Sequence, residues 1–147
     1  MQDYFSLENL MAKKPKGKVV VITDGQQQEF LDSLSFRNEQ VEVQPFSKAH
    51  DVIKDCRVDL ILLDCGSDVD QALQILKENK TSCPKIPNIF ISDMSQEGIV
   101  LRAFRAGARD FFTKPVNIPE LQDTVAGLLF VKKSSREERS PFINTSR

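Results

Sequence analysis

Leu60-Ile61-Leu62-Leu63-Asp64 places four consecutive apolar side chains directly before a carboxylate. An unbroken apolar run of this length suits a strand buried on both faces, as central strands of parallel sheets are. Its carboxyl end then presents Asp64, and ligands of open α/β sheets bind at that end. Three further runs finish the same way. Val19-Val20-Val21-Ile22 leads into Thr23-Asp24, Ile89-Phe90-Ile91 into Ser92-Asp93, and Phe111-Phe112-Thr113 into Lys114-Pro115. If these are parallel strands of one sheet, Asp24, Asp64, Ser92 and Lys114 converge on a single edge.

The segments between the runs carry helical or edge-strand patterns. Phe30, Leu31 and Leu34 mark one face of a helix over 26–37, entered through the Asp24-Gly25 turn. Val41-Glu42-Val43 alternates like a strand near a sheet edge. Ser47 is placed to cap a short helix that buries Val52 and Ile53. Residues 65–70 read as a loop, followed by a helix over 71–79 that buries Leu73 and Leu76. Ile99, Val100 and Phe104 define a helix over 96–106, with Ser95 as its cap and Gly107 as its stop. Asn117-Ile118-Pro119-Glu120 has a capping-box arrangement and opens a last helix ending near Val131. Strands alternating with helices imply right-handed crossovers. The expected fold is α/β and flavodoxin-like: a doubly wound, five-stranded parallel sheet of order 2-1-3-4-5 with helices on both faces. Asp24 and Asp64 flank its switch point, between the first and third strands.

A chain of 147 residues with 20 basic and 21 acidic side chains, net charge -1, has no general field for nucleic acid or an anionic membrane. The expected organisation is an N-terminal extension over 1–17, one domain over 18–131 and a charged linker or tail over 132–147. Phe5, Leu7, Leu10 and Met11 give the extension an apolar stripe, and Lys132, Lys133, Arg136 and Arg139 are interleaved with Glu137 and Glu138 in the tail. The acidic opening Met1-Gln2-Asp3 is unlike a signal peptide, and no apolar run reaches the ~20 residues that span a bilayer. A cytoplasmic protein is expected. Cys56, Cys65 and Cys83 are odd in number and lack CxxC spacing, so all three are expected as reduced thiols. His50, the only histidine, falls in a predicted surface helix, which argues against a histidine kinase or a histidine phosphotransfer module.

Two carboxylates at neighbouring strand ends, with a backbone carbonyl nearby, suit Mg²⁺, which keeps several waters of its own. A carboxylate can also attack phosphorus. The product adds charge beside existing acids and so requires a cation and a lysine within reach of the phosphoryl oxygens. These requirements assign Asp64 as acceptor, Asp24 as metal ligand, Ser92 as the hydroxyl that senses the group and Lys114 as counter-ion. Each alone has a plainer reading, since an acid after a strand is usually a turn or cap residue. The four together, in this order, point to phosphoryl chemistry.

From about Lys18 to Val131 the sequence resembles the receiver domain of two-component response regulators. The marks are Val-Ile-Thr-Asp at 21–24, Asp-Leu-Ile-Leu-Leu-Asp at 59–64, Ile-Phe-Ile-Ser at 89–92 and Ala-Gly-Ala-Arg-Asp-Phe-Phe-Thr-Lys-Pro at 106–115. The resemblance implies a signalling domain rather than an enzyme, catalysing at most its own phosphotransfer and dephosphorylation. Asp64 would take a phosphoryl group from a sensor histidine kinase with Mg²⁺, held by Asp24, Asp64 and the Gly66 backbone carbonyl. Ser92 would be the switch hydroxyl, Phe111 the aromatic that swings inward, and Lys114-Pro115 a cis bond. The implied partners are that kinase, a downstream output domain or protein, and a second copy through the face formed by the helix at 96–106, the last strand and the last helix. No membrane and no direct nucleic-acid contact is implied.

Three departures bear on this. Where the family has two adjacent acids after the first strand, this chain has Thr23-Asp24. The loop after the acceptor reads Gly66-Ser67-Asp68-Val69-Asp70, one residue shorter and without the family's Met-Pro pair. Asp93 follows the switch hydroxyl where a small residue is usual. Thr23 and Asp93 support an alternative from another class: an atypical pseudo-receiver, acting as a protein interaction domain without phosphorylation. A flavodoxin-like cofactor binder is disfavoured, because Asp24-Gly25-Gln26-Gln27-Gln28 is acidic and lacks a phosphate-cradling run.

Overall fold

The computed structural model describes residues 17–25, 39–93 and 97–138. The expected N-terminal stripe, the helix over 26–37 and the Ser95 cap lie outside these residues. The apolar runs form β1 (Gly17–Thr23), β3 (Leu60–Cys65), β4 (Asn88–Ser92) and β5 (Asp110–Thr113), with β2 (Glu39–Pro45) at one edge. Every pairing is parallel and the order is β2-β1-β3-β4-β5, as the sequence predicts. Asp59, at the foot of β3, fixes the central register: its carboxylate accepts from the Lys18 amide at 2.8 Å, while its own amide donates to the Lys18 carbonyl.

The helices are α1 (Ala49–Ile53), α2 (Val69–Ser82), α3 (Glu97–Ala106) and α4 (Ile118–Glu138). Strand side chains alternate between two apolar layers. Val20, Ile22, Ile61, Leu63 and Phe90 meet Ile53, Leu73, Leu76, Ile99 and Ala103, from α1, α2 and α3. Val19, Val21, Leu60, Leu62, Ile89 and Ile91 meet Leu121, Val125 and Leu129, a stripe at helical spacing on α4. Both sheet faces are thus covered within the described residues.

The helix boundaries differ from expectation in instructive ways. Ser47 caps nothing; it lies within a 3₁₀ turn, Phe46–Lys48, that runs directly into α1. The loop expected over 65–70 is shorter, because the Asp68 carboxylate accepts from the Gln71 amide at 3.1 Å and starts α2 at Val69. On α3 the buried side chains include Ile99 and Ala103, whereas Phe104 is 44% exposed and Leu101 50%. That helix stops at Gly107, with φ +120, through two reverse bonds: Ala108 N–H to the Ala103 carbonyl and Gly107 N–H to the Phe104 carbonyl. Asn117 caps α4 as expected, its side chain accepting from the Glu120 amide at 3.0 Å. The helix continues past Val131 to Glu138, since the Lys, Arg and Glu of that segment propagate helix well despite their linker-like polarity.

The cysteines require a correction. Cys56 and Cys83 are not reduced thiols but are joined by a disulfide, with Cα atoms 5.6 Å apart. Cys65 is the free, buried cysteine among the described residues. Spacing of 27 residues carries no local disulfide signal; the pair meets because α1 and α2 end side by side.

Candidate functional site

Strand register assembles the site. Thr23 stands opposite Asp64, and one residue further on Cys65, Ser92 and Thr113 stand opposite one another, so these residues form two adjacent rows at the carboxyl edge of the sheet. Period-two alternation then sorts their side chains. Thr23 and Asp64 share parity with Val21 and Leu62 and project toward the α4 side, whereas Cys65 continues the Ile61-Leu63 layer on the other side.

Asp64 is fully buried. Its Oδ1 lies 2.6 Å from Lys114 Nζ, and the Lys114 side chain is only 7% exposed. A buried carboxylate persists as an ion only beside a counter-charge, which the lysine supplies. Asp64 Oδ2 accepts from the Thr23 hydroxyl at 2.7 Å, and that hydroxyl accepts in turn from the Gly25 amide at 3.0 Å. Both carboxylate oxygens are therefore held. A cis bond joins Lys114 to Pro115, and the Lys114 amide donates to the Ser92 carbonyl at 2.9 Å.

Asp24 sits alongside. Its Oδ2 accepts from the amides of Gly66, at 2.7 Å, and Ser67, at 3.1 Å. Oδ1 is buried and has no hydrogen-bond partner. A side chain at 66 would collide with this carboxylate, since a Cβ there would lie 2.8 Å from Asp24 Oδ1. Glycine at 66 thus leaves the Asp24 carboxylate in place, where any side chain would displace it. No group of three or more His, Cys, Asp or Glu residues forms a metal cluster among the described residues. The unpartnered Asp24 oxygen beside Asp64 nonetheless fits a hard divalent cation, for Mg²⁺ needs only one or two carboxylates and retains water. A cleft of about 450 Å³, lined by Thr23, Asp24, Ser47, Asp68 and Gln71 among others, opens next to them.

The remaining predicted residues fall as follows. Ser92 is fully buried at the end of β4. Phe111 is half-buried and lies over Phe90, its strand neighbour, with ring centroids 5.4 Å apart. Asp93 is exposed just beyond β4, and Lys114 pairs with Asp64 rather than with it. Asp68 is a helix cap and Asp70 an exposed partner of Arg102 on α3, so both loop acids have structural roles. Burial pushes the Cys65 thiol up to about 12; the charges of Asp24, Asp93 and Asp64 add to this, and Lys114 opposes it. It is held as a neutral filler. His50 is exposed against Glu78, away from this edge. The residue sequence reasoning undervalued is Thr23. Its parity and register opposite Asp64 were the available signal.

The family model for the response regulator receiver domain matches residues 19–126. The transcriptional regulatory protein KdpE of Staphylococcus aureus is 33% identical over 98 residues, which cover 67% of this chain and 42% of that protein. Protein CcdB of Bacillus subtilis is 30% identical over 82 residues, covering 56% of this chain and 68% of CcdB. Among solved structures, a CheY-like receiver domain protein from Methanospirillum hungatei JF-1 superposes with a TM-score of 0.68 at 17% identity, covering 82% of this chain and 99% of that one. With the family pattern matched along most of its length and the fold shared with a receiver domain, the chain belongs to the response regulator receiver domain family.

Proposed function

We propose that this chain is a phosphoryl-controlled signalling switch in which Asp64 accepts a phosphoryl group from a sensor histidine kinase in the cytoplasm. The observation that carries the reading is the buried Asp64–Lys114 pair at 2.6 Å beside the unpartnered Oδ1 of Asp24. An Asp64 oxygen attacks phosphorus, and the bond from phosphorus to the donor's nitrogen, or to the oxygen of acetyl phosphate, breaks. Lys114, which now neutralises Oδ1, is within reach of the oxygens added there. Mg²⁺, held by Asp24, Asp64 and the Gly66 backbone, would neutralise part of the phosphoryl charge.

Ser92 and Phe111 serve as the switch pair in this reading. Phe111 already rests on Phe90, so its movement is a rearrangement of that contact that alters the face made by α3, β5 and α4. Leu101 and Phe104 lie exposed on α3, the helix this proposal gives to an output partner or a second copy. Residues 18–131 form the switch domain, flanked by the extension and the charged tail.

Incubation with acetyl phosphate and Mg²⁺ tests this by intact mass. Wild type is expected to gain one phosphoryl mass and Asp64→Asn none. Labelling that persists in Asp64→Asn places the acceptor elsewhere. A wild type that never gains mass identifies a pseudo-receiver, working as an interaction domain without phosphorylation.

A further inference from the structure

The Cys56–Cys83 disulfide lies outside the phosphoryl chemistry. It sits at the opposite end of the sheet from Asp64, where α1 gives way to β3 and α2 ends. The 27-residue separation it closes contains β3, Asp64, Gly66 and all of α2. One covalent ring therefore encircles the whole segment that carries the site's central carboxylate.

Three observations distinguish this pair from a permanent staple. The first is asymmetric access: Cys56 is exposed, while Cys83 is 3% exposed. An incoming thiolate meets one sulfur and expels the other. The second is that both sulfurs already face backbone carbonyls. Cys83 Sγ lies 2.9 Å from the Ile53 carbonyl and Cys56 Sγ 3.4 Å from the Ser82 carbonyl. Each sulfur therefore has a backbone carbonyl close by that can accept from it as a thiol once the two have turned apart. The third is the backbone at Cys56, whose φ of +52 lies in the left-handed region. Side chains other than glycine enter that region at a cost, and such residues concentrate at sites of function.

We propose that Cys56 and Cys83 form a reversible redox-modification site, exchanging with a dithiol or with two monothiols in turn, that opens and closes the ring around residues 57–82. The reductant's thiolate attacks Cys56 Sγ. The sulfur–sulfur bond breaks, its electron pair leaves on Cys83 Sγ, and Cys83 takes up a proton. The reductant's second thiol, as thiolate, then attacks the reductant sulfur of the mixed disulfide. This releases Cys56, which is protonated, and leaves the reductant as a disulfide. The protein gains two electrons and two protons, and the reductant loses the same. This inference stands whether or not Asp64 is phosphorylated.

The test equilibrates the full chain, folded, in a series of reduced and oxidised glutathione buffers. Each sample is then quenched with N-ethylmaleimide in denaturant and weighed intact. Oxidised protein is expected to carry one adduct, on Cys65, and reduced protein three. The series should convert from one to three reversibly. Amide hydrogen exchange within 57–82 is expected to be about tenfold faster in the reduced form, since opening no longer works against a closed ring. Cys56→Ser, which cannot form the bond, should exchange at the reduced rate in every buffer. Three adducts under fully oxidising conditions would overturn the proposal. So would a bond that survives glutathione and yields only after denaturation, which marks a permanent staple. Equal exchange rates in the two forms would overturn it as well.

Discussion

Thr23 makes two hydrogen bonds, one given to Asp64 and one taken from Gly25, in a setting from which water is largely excluded. Thr23→Val keeps the shape and removes both, leaving a buried carboxylate oxygen short of a donor. The expected loss is about 1–3 kcal/mol of folding stability, with Thr23→Ser recovering most of it. Chemical denaturation of the three proteins checks this, and a valine variant as stable as wild type would mean that the hydroxyl contributes nothing. Thr23→Asp places a second carboxylate opposite Asp64. Without a divalent cation the two should repel and lower the thermal midpoint; Mg²⁺ should restore it and bind more tightly than to wild type. A midpoint indifferent to Mg²⁺ would show that position 23 does not face the cation. Composition alone reads Thr23 as an acid that is missing. Its positive role needs the register, because a hydroxyl opposite a buried carboxylate becomes its donor only when parallel pairing sets the two side by side.

At the scale of elements, the caps offer the cleanest measurements. Asn117→Ala and Asp68→Ala each remove one acceptor for an orphan amide of a helix's first turn, and each is expected to cost about 1 kcal/mol. Urea midpoints decide it; losses well below this value would mean that the first turns are satisfied by water instead. The first of these caps was legible in Asn117-Ile118-Pro119-Glu120, a local pattern. The second was not, since Asp68 stands in a run of polar loop residues where any of several acids could begin a helix. The strands were legible for a related reason. Four apolar runs ending in polar groups are a local signal strong enough to order the sheet, and with it the places of Asp24, Asp64, Ser92 and Lys114 along its carboxyl edge. The end of α4 escaped the sequence because Lys, Arg and Glu suit a linker and a helix equally well.

Across the whole molecule the disulfide is the feature no local pattern could reveal, for Cys56 and Cys83 become neighbours only after α1 and α2 have packed. Closing a ring with a separation of 27 residues restricts the unfolded chain, and the chain-entropy relation gives about 3–4 kcal/mol of stability that reduction should remove. Urea unfolding of the oxidised and reduced proteins measures this directly, and coincident curves would show that strain in the folded state cancels the restriction.

The length of α4 has a consequence of a different kind. Leu129 is buried in the core, and the helix continues about two and a half turns beyond it, to Glu138. A helix transmits angle as well as distance. Each residue added or removed along it would rotate whatever is attached at its end by about 100°, and seven would return it nearly to its starting azimuth. A reporter fused after Glu138 would thus inherit a compass bearing from Leu121, Val125 and Leu129, and its orientation could be dialled in by spacer length alone.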